Sequence, residues 1–200
     1  MNIDALILCG GAGRRMGGVD KGWVHWRGQP LIEAMLAVVQ RQSQPPRRIW
    51  ISANRELERY RALPGIAGVL QDATADFPGP LAGIDAAFTA SKADWLWILP
   101  CDTPNLPTDT LQRLKQASDG VDLTVAALVD GDALHRQPTI CLAHRRSWPV
   151  LQQQWQQGQR ALWRWQQAVP HRHVPFTERH AFDNLNTADS LTATPQQDTP

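Results

Sequence analysis

Short apolar runs alternate along the chain with amphipathic helical stretches: "DALILC", "PLIEAMLAVVQRQ", "RRIWISA", "GVLQD", "LAGIDAAFTASK", "DWLWILPCD", "TDTLQRLKQAS", "DLTVAAL" and "TICLA". Strands that are apolar throughout, with helices between them, must be covered on both faces. The alternation therefore predicts a three-layer, doubly wound α/β fold around a mostly parallel sheet. Pro30 before "LIEAM" marks one helix start, and Thr108, with Gln112 following, is the expected N-cap of another. Asp130-Gly131 within "LVDGDALHRQPTI" predicts an antiparallel hairpin late in the sheet. Residues 148–168 are rich in Gln and Trp and helical in composition, so their tryptophans are expected to form a packed stripe. Two hundred residues, 42% of them hydrophobic, suffice for one core. We expect one domain over 1–191 and a disordered tail over 192–200.

A formal net charge of +1 argues against a dedicated nucleic-acid binder, whose affinity rests on many clustered cations. Met1 to Leu8 lacks the layout of a secretory signal, and no apolar run approaches the length of a membrane span. A cytoplasmic chain acting away from membranes is the expectation. Cys9, Cys101 and Cys141 are too few and too scattered for a disulfide framework or a structural zinc site, and read as free thiols.

In doubly wound sheets ligands bind outside the carboxyl ends of the strands, so the residues after each apolar run carry the candidate chemistry. In "LILCGGAGRRMGGVDKG", Gly10, Gly11 and Gly13 let the backbone approach an anion, and Arg14, Arg15 and Lys21 supply positive charge. This is not a Walker loop, because Lys21 lies between Asp20 and Gly22, and Met16 stands where a dinucleotide fingerprint has its third glycine. Asp102 ends the most apolar run, in "LPCDTPNLP", as a hard oxygen ligand for Mg²⁺ or a cap of the following turn. Gly79 and Gly83 in "FPGPLAGI" allow close approach of a ligand or of a neighbouring strand. Asp72 closes "GVLQD" as a base or ribose acceptor or as an ordinary loop acid. Asn184 and Asn186 in "FDNLNTADSL" offer amide oxygens to a metal or serve as turn residues before a helix capped by Thr187. His171, His173 and His180 cluster late and read as solvated side chains.

Taken in order, "LCGGAGRRMGGVDKG", "GPLAGI", "CDTPNLP", "HRQPTICL" and "NLNT" resemble the molybdenum cofactor guanylyltransferases, within the Rossmann-like nucleoside-triphosphate-transferase fold, over residues 3 to about 191. The resemblance implies transfer of GMP from GTP to the terminal phosphate of molybdenum-molybdopterin, with Mg²⁺ as cofactor and pyrophosphate as the leaving group. It further implies partner proteins that hand over molybdopterin and molybdoenzymes that receive the product. Carried over, the GTP contacts fall on Leu8, Cys9, Gly10, Lys21, Asn54, Asp72 and Asp102, with the metal on Asp102 and with Arg15 and Lys21 on the phosphates. Gly79, Gly83, Asn184 and Asn186 are the candidates for acceptor or second metal contacts. Two positions depart from the pattern: Cys9 stands where alanine is common, and Ser52 where an asparagine can occur. The alternatives are a sister nucleotidylyltransferase using CTP, ATP or UTP on a pterin or sugar phosphate, and a non-catalytic GTP-binding protein that delivers cofactor.

Overall fold

The structure is a computed structural model, and the residues described are 1–9, 20–72 and 79–185. Its first strand is β1 (Ile3–Leu8), followed by a one-turn 3-10 helix at Lys21–Trp23 and a small hairpin of β2 (His25–Trp26) and β3 (Gln29–Pro30). Then come α1 (Leu31–Gln40), β4 (Ile49–Ser52), α2 (Leu57–Arg61), β5 (Gly68–Leu70), α3 (Pro80–Ala90) and β6 (Trp95–Pro100). The second half runs α4 (Thr110–Gln116), β7 (Leu123–Asp130), β8 (Ala133–His144), α5 (Trp148–Gln156), α6 (Leu162–Gln167) and β9 (His171–Phe176). Among the described residues, one seven-stranded sheet, in the order β5-β4-β1-β6-β8-β7-β9, gathers all the strands but the small hairpin.

Among the described residues only β8 runs against its neighbours in this sheet, pairing antiparallel with β6 and β7, while the other pairings are parallel. The hairpin turn falls on Gly131 and Asp132, one residue later than expected, because Asp130 still pairs with Ala133 and Gly131 takes a φ of +59°. Further down the hairpin, β8 sets residues 137–140 opposite the single residue Ala126, so "QPTI" bulges out of the ladder.

Side chains of the central strands divide between two layers. Ala5, Ile7, Ile51, Trp97 and Leu99 pack with Ile32, Met35 and Val39 of α1 and Leu111 and Leu114 of α4. Leu6, Leu96, Ile98 and Cys141 pack on the other face with Leu81, Ile84 and Phe88 of α3, Leu151 of α5 and Trp165 of α6. Each large apolar side chain so buried contributes about 1.5–3 kcal/mol. The tryptophan stripe is only partly a core feature: Trp165 is fully buried and donates its indole N–H to Ser147 O at 3.0 Å, whereas Trp163 is 44% exposed. All three cysteines are free and buried. Among the described residues, no helix is long and apolar enough to cross a membrane.

The cap of α4 differs from expectation for a long-range reason. Asp109, not Thr108, precedes the helix, and the Leu111 N–H is satisfied by Gln42 Oε1 at 2.9 Å, from the end of α1. Gln42 also donates to Pro107 O at 3.0 Å, which ties the two helices on one face together and leaves no need for a local cap. Gln112 accepts from Ser43 Oγ instead.

Register aligns the carboxyl ends of the parallel strands, with Leu8 opposite both Ser52 and Pro100 and Ser52 opposite Leu70. From β1 the chain builds one way through β4 and β5, then crosses to the other side of β1 for β6. The switch point is therefore between β1 and β6, where such sheets leave a crevice. Gly83 lets α3 descend on that end: a Cβ there would meet Ser52 Oγ at 2.4 Å and Ser52 Cβ at 2.9 Å. Gly83→Ala should consequently destabilise the protein by about 1–3 kcal/mol in chemical denaturation, the scale of overpacking a close contact; an unchanged midpoint would show that α3 is not seated this closely.

Candidate functional site

Three backbone bonds extend the ladder one residue past the strands: Cys9 N–H to Ser52 O at 2.8 Å, Cys101 N–H to Leu8 O at 3.1 Å, and Ala53 N–H to Leu70 O at 3.0 Å. The residues that follow are thus fixed by the sheet rather than left to loops. They include Asp102 beyond β6 and Asn54 beyond β4, while Asp72, two residues beyond β5, is held by Asn54. Asp102 is 6% exposed, and its carbonyl accepts from the Leu185 N–H at 3.0 Å, which brings the exposed Asn184 to the neighbourhood of the same turn. Thr103 is buried beside it in the chain, and its hydroxyl has no hydrogen-bond partner among the described residues.

Lys21 begins the 3-10 turn and reaches across the switch point to form an ion pair with Asp102 Oδ2. The lysine side chain is 26% exposed and the carboxylate 9%. Loss of the cation would leave a largely buried charge behind, which costs more than the pair itself contributes. The turn is anchored from both ends. Asp20 precedes it and accepts from the Gly22 N–H at 3.1 Å, while Leu31 N–H bonds Val24 O at 2.9 Å where the chain enters α1. Asp20 is itself held by the Tyr60 hydroxyl of α2, which donates to the same Oδ1 at 2.5 Å.

Asn54 and Asp72 bond reciprocally: Asn54 Nδ2 donates to Asp72 Oδ2 at 2.8 Å, and the Asp72 N–H donates to Asn54 Oδ1 at 2.9 Å. Burial pushes the Asp72 carboxyl above its ordinary value, and the Asn54 amide only partly offsets this. Its other oxygen, Oδ1, is buried with no hydrogen-bond partner among the described residues. An orphaned buried acceptor of this kind is expensive to keep in the ligand-free protein.

The remaining candidates divide. Cys9 is buried and its thiol is hydrogen-bonded to Cys101; burial first, and that neighbour second, raise it well above the usual thiol range, so it is an inert side chain at a position whose backbone matters. Ser52 lies beneath Gly83, 3% exposed, whereas Asn54 stands beside Asp72. Gly79 has a φ of +89°, and among the described residues nothing lies within 4 Å of a Cβ added there, so this glycine serves the backbone that starts α3. Of the two glycines, Gly83 is the one against a neighbouring strand. His171 starts β9, opposite Leu123 at the start of β7, and so belongs to the far end of the sheet from Asp102; it forms an edge contact with His173 at 5.4 Å between ring centroids. His180 bonds Asp183. Gly10, Gly11, Gly13, Arg14, Arg15 and Asn186 lie outside the described residues. Among the described residues no cluster of His, Cys, Asp and Glu forms a ready-made metal cage. Asp20 and Tyr60, which sequence reading passed over, enter the site through a contact spanning 40 residues; the local signal for it is Gly22, whose missing side chain Tyr60 requires.

Comparison with known proteins adds the chemistry that geometry leaves open. Residues 5–173 match the family model of the MobA-like NTP transferase domain. The molybdenum cofactor guanylyltransferase of Mannheimia succiniciproducens is 39% identical over 192 residues, covering 96% of this chain and 97% of that one. The crystal structure of molybdopterin-guanine dinucleotide biosynthesis protein A from Archaeoglobus fulgidus superposes with a TM-score of 0.72 at 21% identity, covering 94% of both chains. The 2-C-methyl-D-erythritol 4-phosphate cytidylyltransferase of Francisella tularensis superposes as well, with a TM-score of 0.73 at 12% identity over 96% of this chain and 97% of that one. At such identities the two superpositions establish the fold and do not choose a nucleotide.

The raised Asp72 carboxyl has a consequence for stability. The folded protein holds this proton to higher pH than the unfolded chain does. Its stabilising contribution is therefore present below the ordinary aspartate range and lost as pH rises through the folded value. Asp72→Asn keeps an acceptor for Asn54 and removes the buried charge. It should raise the melting temperature of the ligand-free protein at neutral pH, with the gain shrinking in acid as the wild-type carboxyl protonates; a lowered melting temperature at neutral pH would contradict this account.

Proposed function

The chain belongs to the molybdenum cofactor guanylyltransferases, within the MobA-like NTP transferase family, and from that membership we propose how its residues carry GMP from GTP to the terminal phosphate of molybdenum-molybdopterin. The observation that carries the proposal is the Lys21–Asp102 pair at the switch point between β1 and β6. The reaction joins a phosphate oxygen to the α-phosphorus and breaks the bond to the β-phosphate, expelling pyrophosphate. Its nucleophile is already ionised and needs no general base, so what the protein must supply is positioning and positive charge where two anions meet.

Lys21 leaves Asp102 for the phosphates, where its ammonium meets charge that grows as the α–β bond breaks. Arg15 and the backbone N–H groups of Gly10, Gly11 and Gly13 join it there, and Leu8 and Cys9 line the nucleotide through their backbone. Asp102, freed of its cation, faces an incoming one. A lone, buried, hard-oxygen carboxylate suits Mg²⁺, which takes one or two protein carboxylates and completes its shell with phosphate oxygens and water. Asn184 and Asn186 are the candidate second contacts. Bound there, Mg²⁺ would supply charge neutralisation at the phosphates. Asp72 Oδ1, the orphaned acceptor, receives the N1–H and N2–H of guanine, and Asn54 keeps the carboxylate in place. The acceptor approaches past the open backbone at Gly79, where α3 begins, and Gly83 sets how closely that helix end sits on the strands. Proteins that hand over molybdopterin stand before this step, and the molybdoenzymes that take the product stand after it.

The test is pyrophosphate release from GTP, ATP, CTP and UTP with Mg²⁺ and molybdenum-loaded pterin. GTP should be favoured over ATP by at least about 10-fold, since adenine leaves a buried acceptor unpaired. Lys21→Ala should lower kcat/KM by about 10²-fold with kcat itself falling, and Asp102→Asn should remove most turnover with the fold intact. Release from CTP in preference to GTP would assign the chain to a sister transferase, and GTP binding without release would make it a carrier. Full activity in either variant would remove that residue from the mechanism.

A further inference from the structure

We infer that Tyr60 is a positioning residue for the transfer, holding the turn that aims Lys21; the inference rests on the role given to Lys21 above. Tyr60 sits on α2, in the crossover between β4 and β5, and is fully buried. Its hydroxyl donates to Asp20 Oδ1 at 2.5 Å, and that oxygen also accepts from the Gly22 N–H at 3.1 Å. The residues on both sides of Lys21 are thus tied to one buried phenol. The ring also packs against Trp23 at 5.0 Å between centroids, and the Arg59 guanidinium lies over that indole at 4.0 Å from its centroid. Burial raises the phenol far above its usual range, so it remains a donor at every working pH.

Gly22 shows how tightly the arrangement is fitted. A Cβ at this position would lie 2.2 Å from the Tyr60 hydroxyl oxygen and 3.1 Å from Cζ. No positive φ calls for a glycine here; space does. A lysine carries its charge on a flexible four-carbon stem, and fixing the backbone on both sides limits the volume that its ammonium searches. Without that restraint Lys21 can still find phosphate, but less of the time in the geometry that the transition state needs.

A purely structural tyrosine and a positioning one differ in how they combine with Lys21. Tyr60→Phe should lower kcat/KM for pyrophosphate release on the order of 10-fold in the otherwise wild-type chain. In a Lys21→Ala chain the same change should cost less than about 2-fold, because nothing remains to be aimed. Gly22→Ala should also impair turnover, and adding Tyr60→Phe should recover part of the loss by removing the clashing oxygen. Melting temperatures of all five variants show whether each is folded. Equal losses from Tyr60→Phe in both backgrounds, a silent Tyr60→Phe, or no recovery in Gly22→Ala/Tyr60→Phe would each overturn the inference while leaving Lys21 its role. Wild-type turnover by Lys21→Ala alone would instead remove the role of Lys21, and this inference with it.

Discussion

One ion pair organises the candidate site of this molecule. Lys21 arrives from the loop after β1, and Asp102 stands at the end of β6; the two strands are neighbours only because the chain reverses its direction of sheet building between them. Everything that fixes the pair is fixed elsewhere. The β1–β6 register sets Asp102, the Leu185 amide holds its carbonyl, and the Tyr60–Asp20–Gly22 bonds set the turn that carries Lys21. A cation on a carboxylate is also a ready exchange partner for a triphosphate with its metal ion, since each member of the pair finds a counter-charge in the incoming ligand and neither is left bare.

The site is assembled at some expense to stability. Among the described residues, Asp72 keeps a buried oxygen unpartnered and a carboxyl shifted upward by burial, and Thr103 keeps an unpartnered hydroxyl next to Asp102. Glu56, the residue just before α2, takes a left-handed φ of 50°, unusual for a side chain that is not glycine or asparagine. α2 is the short helix whose Tyr60 pins the Lys21 turn. Buried Asp4, near the other end of β1, is by contrast matched by Ser91 Oγ at 2.7 Å and Trp50 Nε1 at 3.2 Å.

Much of the architecture could be read from the chain because it follows from local periodicity. Runs such as "ALIL" and "WLWIL" are apolar at every position, and only a doubly covered sheet buries both of their faces. What escaped local reading is what depends on distant partners. The α4 cap comes from Gln42 on another helix, and the bulge at residues 137–140 depends on the register that β8 must keep with β6 as well as β7. The candidate site divides along the same line. Lys21, Asp72 and Asp102 were visible because each follows an apolar run or a glycine-rich turn, whereas Tyr60 sits in an unremarked stretch, "ERYRAL", and reveals its part only through Asp20 and the space left by Gly22. Gly83 and Gly79 looked alike in sequence, yet one is required by packing against Ser52 and the other by its backbone angle.

The central claim is that Lys21 and Asp102 hold one another until a nucleotide separates them. A crystal structure of the chain with GTP and Mg²⁺ tests it most directly. The account predicts Lys21 Nζ on phosphate oxygens, Asp102 on the metal ion and the guanine edge on Asp72, with the Tyr60–Asp20 bond unchanged. A nucleotide bound with Lys21 still on Asp102 would contradict it.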